Sequence, residues 1–249
     1  MSVQLPTLSG RFAWWFTSWS RGYANPDDLT NHVVADDVAH DVAGLPGVDG
    51  TLPLLLALPH LRRLADSAGL ALPTPGALTG LGGPAPFNRA ATEIGEAVVL
   101  AGGAGGLVPY RAGPGVMWQL LPAHRRQLTD LGEASRQLRA TLSQCATALA
   151  DLDVARWRPE VADELMNLRH RTTFIAPGGT PTDAVDLAGR AWQAESIVEL
   201  ALIDEGGAVS AQEIAHRQST LTPLAQAART ALVAACSPEV WPPVSVAAW

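Results

Sequence analysis

Residues 96–121 read EAVVLAGGAGGLVPYRAGPGVMWQLL: three short apolar runs, 96–101, 107–111 and 115–121, parted by Gly102-Gly103-Ala104-Gly105-Gly106 and by Gly113-Pro114-Gly115. Short apolar runs bounded by glycine-rich turns are strand signals, and three in succession predict a small β-meander. Working outward, the flanks carry helix signals. A helix is expected from Phe87 to Ile94, and the stretch 70–86, punctuated by Pro73, Pro75, Gly76, Gly80, Gly82, Gly83, Pro84 and Pro86, reads as a loop. Residues 51–68 suggest a helix with Thr51 as cap and Gly69 as stop, kinked or divided at Pro59. Asn25-Pro26-Asp27-Asp28 opens another, expected to reach about His40, because Asn caps, Pro fits the first turn and acids favour the positive end of the helix dipole. A short helix near the start carries Trp14, Trp15 and Trp19.

Beyond the meander the helical signals strengthen. Asp130 and Glu133 make a capping-box-like start, and Leu131, Leu138, Leu142, Cys145, Leu149 and Leu152 trace one helical stripe. Pro159 can open the next helix, ending at Arg169-His170-Arg171; Thr180-Pro181-Thr182-Asp183 starts a long one that stops at Gly206-Gly207. Ser210 and Glu213 box a further helix, with a restart at Thr222-Pro223 toward Cys236. Several helices with short connections are the ingredients of an antiparallel bundle. The expected fold is therefore mainly α, α+β overall: a C-terminal antiparallel helical bundle with a small N-terminal region of helices and a short β-meander. The segments are 1–122, the α+β region; 123–236, the bundle; and 237–249, an extended apolar tail, with a single compact domain as the alternative.

Composition limits the chemistry. The chain has 249 residues, 47% hydrophobic and 16% charged, enough to bury a sizeable core without disulfide or metal staples. A net charge of −7 argues against coating nucleic acid or anionic lipid. All 17 basic residues are arginine, so Schiff-base chemistry and a P-loop ammonium are excluded. Cys145 and Cys236 lack CxxC spacing, which fits a reducing cytoplasm. The start of the chain has no basic n-region, and the most apolar stretches, 52–61 and 97–109, are short and interrupted by proline or glycine, so no membrane span is expected.

Several constellations are weighed for function. His32, Asp36 and His40, spaced i, i+4, i+8, would share one face of the expected 26–40 helix and could offer imidazole and carboxylate ligands to a metal; further ligands would have to come from pairs such as Glu93 and Glu96, or Glu195 and Glu199. A polar helix face explains the same spacing. Gly102–Gly106 could approach a phosphate, but no GxxxxGK[ST] accompanies it and a strand follows where a helix N-terminus is needed. No GxSxG supplies a nucleophile. Arg156, Arg158, Arg169, His170 and Arg171 form a basic cluster whose guanidinium groups could hold an anion, and a pocket between bundle and meander could be lined by Arg158, His170, Arg171, Tyr110 and Trp118.

Residues 197–235 resemble a helix-turn-helix DNA-binding module: Ile197-Val198-Glu199-Leu200, then Gly206-Gly207, then Ser210 through Arg217. The resemblance implies a recognition helix over 223–235 with Arg217 and Arg229 near the nucleic acid. Ser219-Thr220 stands where such modules carry a Gly-apolar turn, and the alanine-rich 225–235 stretch suits a buried helix better. Finally, Trp14, Trp15, Trp19, Trp241 and Trp249 could serve as interface anchors or pack within the chain.

The leading expectation is a cytoplasmic, non-catalytic protein–protein interaction or assembly protein. Its partner is another protein or a second copy of itself in a homo-oligomer; nucleic acid is disfavoured, no membrane is involved, and no cofactor is expected. The alternatives are an enzyme or small-molecule-binding protein using the bundle–meander pocket, and a DNA-binding regulator using 197–235.

Overall fold

The computed structural model describes residues 2–151, 172–203 and 211–242. It is a mixed α/β protein built on a six-stranded sheet. In chain order the elements are β1 (Ser2–Val3), α1 (Leu8–Ser20), α2 (Pro26–Val34), β2 (His40–Ala43), β3 (Thr51–Pro53), α3 (Leu54–Leu64), β4 (Ala68–Ala71), α4 (Ala85–Ile94), β5 (Ala97–Leu100), β6 (Gly106–Ala112), β7 (Gly115–Leu121), α5 (Leu131–Asp151), β8 (Thr173–Phe174), α6 (Thr182–Ile203) and α7 (Ala211–Ala235).

The meander lies at the centre of the sheet as β5-β6-β7, and the full order is β3-β2-β7-β6-β5-β4. Glycine makes both of its turns. Gly102 and Gly103 turn the chain after β5 with φ of +73° and +77°, and Gly113 turns the β6–β7 hairpin at +59°, values that residues with a Cβ rarely adopt. The sheet is wider than the meander because three more strands join it. β2 pairs parallel to β7, with Val42 beside Trp118, while β3 and β4 add antiparallel edges.

Three expectations are corrected by these strands. The helix begun at Asn25 ends at Val34 rather than about His40: Ala35 takes φ +49° and turns the chain out of the helix. The helix expected over 51–68 is α3 alone, preceded by β3 and running through Pro59 without dividing. The loop expected from residue 70 begins with the end of β4.

The two sheet faces are covered differently. Phe87 and Ala91 of α4 pack on Val99 and Val108, and a Cβ on Gly106 would run into the Phe87 ring, so glycine there lets the helix lie close. On the other face α1 is buried almost all round. Phe12, Trp14 and Phe16 join Leu70, Leu100, Leu107 and Trp118 below them and Leu224, Ala228, Ala231 and Leu232 of α7 in one continuous core. Each such side chain contributes about 1.5–3 kcal/mol by leaving water. α7 packs against both α5 and α6, and β1 pairs with β8, fastening the first residues to the C-terminal half.

α7 is one helix from Ala211 to Ala235, passing through Ser219-Thr220 and Pro223. Leu221, Leu224, Ala228, Ala231 and Ala235 continue a buried stripe across the position where a turn was needed. The helix-turn-helix arrangement implied by the resemblance is therefore not formed there.

Candidate functional site

The loop leaving α2 brings together a chain of coupled polar groups. His40 opens β2, and pairing with β7 puts it beside Trp118. The Trp118 indole Nε1–H donates to His40 Nδ1 at 3.2 Å, and His40 Nε2 lies 3.0 Å from Asp37 Oδ2. An indole nitrogen can only donate, so Nδ1 is the acceptor and the proton sits on Nε2, donated to the carboxylate. Arg111 donates to the other Asp37 oxygen. Burial lowers the His40 pKa, and the Asp37 carboxylate only partly opposes it. For Asp37, burial disfavours the charge, but the bonds from His40 and Arg111 outweigh it and hold the group below its ordinary value. Both imidazole nitrogens are occupied. This arrangement leaves His40 no lone pair for a metal and no open nitrogen for general base catalysis.

The rest of the expected metal triad is dispersed by the early end of α2. His32 stacks on Trp15, ring centroids 3.8 Å apart, with Nδ1 2.6 Å from Gln4 Nε2, and Asp36 lies exposed beyond the helix. Among the described residues no three His, Cys, Asp or Glu side chains are grouped to hold a metal. Glu96 is also committed, accepting the Ser9 backbone N–H at 2.7 Å where α1 begins. Burial raises its pKa against those helix-end bonds and the nearby Arg11.

The ligand-pocket residues separate as well. Trp118 is fully buried beneath Phe12, ring centroids 5.0 Å apart. Tyr110 faces the opposite side, because Trp118 stands beside Pro109 in the β6–β7 register and Tyr110 beside Met117. One pocket cannot be lined by both. Arg158, His170 and Arg171 lie outside the described residues, as does Trp249.

Arg229, the expected nucleic-acid contact, instead reaches Glu195 on α6 at 3.2 Å. The Arg217 side chain lies outside the described set. The tryptophans face inward: Trp14 and Trp15 are buried, Trp19 is half-buried under Arg62, whose guanidinium carbon is 5.3 Å from its ring centroid, and Trp241 is half-buried at the end of α7. They are not exposed anchors because α1 is enclosed between the sheet and α7.

Arg126 escaped notice in the sequence. Its side chain is 2% exposed, and its five N–H donors reach Leu70 O, Gly80 O, Ser237 Oγ and both Glu239 oxygens. No donor remains for a ligand, although a cavity of about 290 Å³ with Gly102, Gly103 and Arg125 on its wall adjoins it. No local spacing could have revealed a residue whose partners are all remote.

At the opposite sheet edge, α2, its following loop and the start of α3 enclose an open cleft of about 280 Å³ with Asn31, Val34, Val38, His40, Pro53 and Leu55 on its walls. Val38 is 75% exposed and Leu55 42%. The only sequence signal was the apolar run 52–58 beside a lone valine among acids, which reads equally well as core.

The fold and cleft together define a mixed α/β protein in which His40, Glu96 and Arg126 are engaged by the chain itself. Residues 9–131 match the family described as Rv1486c-like protein, N-terminal domain, and residues 132–233 that described as Rv1486c-like protein, C-terminal domain. The two matches follow one another in order over 9–233, so the chain is similar to the Rv1486c-like proteins along most of its length. It is 28% identical over 281 aligned positions to "Uncharacterized protein Rv1486c" of Mycobacterium tuberculosis (strain ATCC 25618 / H37Rv), covering 92% of this chain and 96% of that protein. The same figures hold for "Uncharacterized protein MT1533" of strain CDC 1551 / Oshkosh. No solved structure matches the chain at a significant level.

Proposed function

We propose that this chain is a non-catalytic interaction protein that binds another protein through the cleft between α2 and α3. One observation carries the reading: Val38 and Leu55 hold apolar surface in water on the walls of one cleft. Exposed apolar side chains gathered at a concavity are the usual mark of a contact surface. The engaged state of His40 and Arg126 supports the same reading, since neither has a nitrogen to offer a substrate. In this reading α5, α6 and α7 form an antiparallel bundle that serves as scaffold. A cytoplasmic location goes with it, supported by two buried, unpaired cysteines, Cys145 and Cys236. Among the described residues no helix is long and apolar enough to cross a membrane.

The test is to purify the tagged chain from the cells that make it, beside a Val38→Ser/Leu55→Ser variant, and count subunits by native mass spectrometry. The expected result is one identified protein in fixed stoichiometry with the wild type and its loss from the variant. A wild type that emerges alone, or a complex that survives the variant, overturns the reading. A second copy of the chain in the complex would redirect it toward self-assembly.

A further inference from the structure

Resting on that reading, we infer that the cleft takes a basic segment of its partner, one carrying an apolar side chain flanked by lysine or arginine. Carboxylates outnumber cations along this edge, where Arg11 and Arg111 are the guanidinium groups near Asp36, Asp37 and His40. Residues 22–61 contain six aspartates and no arginine or lysine. Asp37 is met by His40 and Arg111, whereas among the described residues no ion pair engages Asp27, Asp36 or Asp41. These three lie around the cleft. Asp27 precedes Thr30 and Asn31 by three and four residues, which continues the α2 face on the cleft wall. Asp36 sits between Ala35 and Val38, both on the wall, and Asp41 is the register partner of Pro53.

Two helix ends also meet at the cleft, the C-terminus of α2 and the N-terminus of α3. Their dipoles oppose one another, about half a charge each, so the full charges of the aspartates decide the sign. A cation beside an inserted apolar side chain thus finds carboxylates around the cleft. The cleft's volume falls just below the range typical of sites for whole small molecules, which suits a side-chain anchor. A second copy is the poorer occupant, because it would bring the same acidic edge against this one.

Fluorescence anisotropy with three labelled peptides tests this on the full chain: an amphipathic helix of leucine and lysine, a scramble of the same composition, and a leucine/glutamate counterpart. The leucine/lysine helix is expected to bind saturably and more tightly than the scramble, with affinity falling as salt rises. Val38→Ser/Leu55→Ser should weaken it about tenfold or more. Asp27→Asn/Asp36→Asn, at exposed positions, should weaken it and flatten the salt dependence; adding Asp41→Asn should deepen both effects. A cooperative melt near the wild-type temperature shows that each variant is folded. Binding of the leucine/glutamate peptide as tightly, undiminished binding by the neutralised variant, or no peptide binding at all overturns the basic-partner inference. The interaction reading itself falls only if the cellular complex is absent or survives Val38→Ser/Leu55→Ser, so the two failures are distinguishable.

Discussion

Trp14 and Trp241, near opposite ends of the chain, donate their indole N–H groups to the same acceptor, the Ala235 carbonyl, at 3.1 and 3.0 Å. Ala235 is the last residue of α7, where helical carbonyls lose their intrahelical donors. The two indoles supply what the helix cannot, and they join α1, α7 and the segment after it at one buried point.

This shared acceptor makes the two tryptophans energetically coupled. Trp241→Phe alone should cost about 0.5–1.5 kcal/mol, since Trp14 still satisfies the carbonyl. Trp14→Phe should cost more because it also removes buried volume. The double variant should cost about 1 kcal/mol beyond the sum, because the carbonyl is then buried without either indole. Urea unfolding of the four-member cycle measures this, and additive losses would contradict the shared bond.

Arg126 should be the most sensitive charged residue. Arg126→Ala leaves Glu239 and two carbonyls without their donors, and a loss of about 3–5 kcal/mol is expected. Arg126→Lys should recover little, because an ammonium cannot fan five donors across β4, the 72–84 loop and the segment after α7. Gly69→Ala should also destabilise, since its Cβ would collide with Arg126 Nη2. Thermal melts of the three variants check this; an Arg126→Ala melt equal to wild type would sink the clamp.

The His40 arrangement sets a pH dependence with a definite sign. Its folded pKa lies below the ordinary 6.5, so as pH falls below that value the unfolded chain takes up the proton and the folded chain resists it. The stability it contributes is present above pH 6.5 and lost on acidification toward the folded pKa, at up to about 1.4 kcal/mol per pH unit. Glu96 works in the other direction: its raised pKa favours the fold below 4.5, and that advantage disappears as pH rises through the folded value. Comparing wild type with His40→Gln from pH 7.5 to 5 isolates the histidine. The wild type should lose stability more steeply; parallel profiles would contradict the neutral, doubly bonded ring.

What was legible in the sequence had local causes. Asn25 and Asp130 cap their helices as their spacing required, each accepting an N–H at 2.7 Å from the residue three further on. The meander announced itself through glycine at its turns. β2 and β4 could not be read, because four residues become a strand only through a distant neighbour: Val42 needs Trp118, and Leu70 needs Val98. The end of α2 had no stop residue, only Ala35 in an uncommon backbone conformation. The restart expected at Thr222-Pro223 was misleading in the opposite way, since burial of Leu221 and Leu224 carries the helix through a weak local signal. The cleft was invisible for a related reason: that Leu54 is buried while Leu55 is exposed is decided by packing, and both letters are the same.

The decisive measurement is photocrosslinking in the cells that make the protein, with a photoreactive amino acid at position 55 and, as control, at Ile94, an exposed apolar residue on α4. Position 55 should give one discrete adduct with a single protein, lost when Val38→Ser is added, and position 94 should not. No adduct from position 55, or the same adduct from both positions, would contradict binding through the α2–α3 cleft.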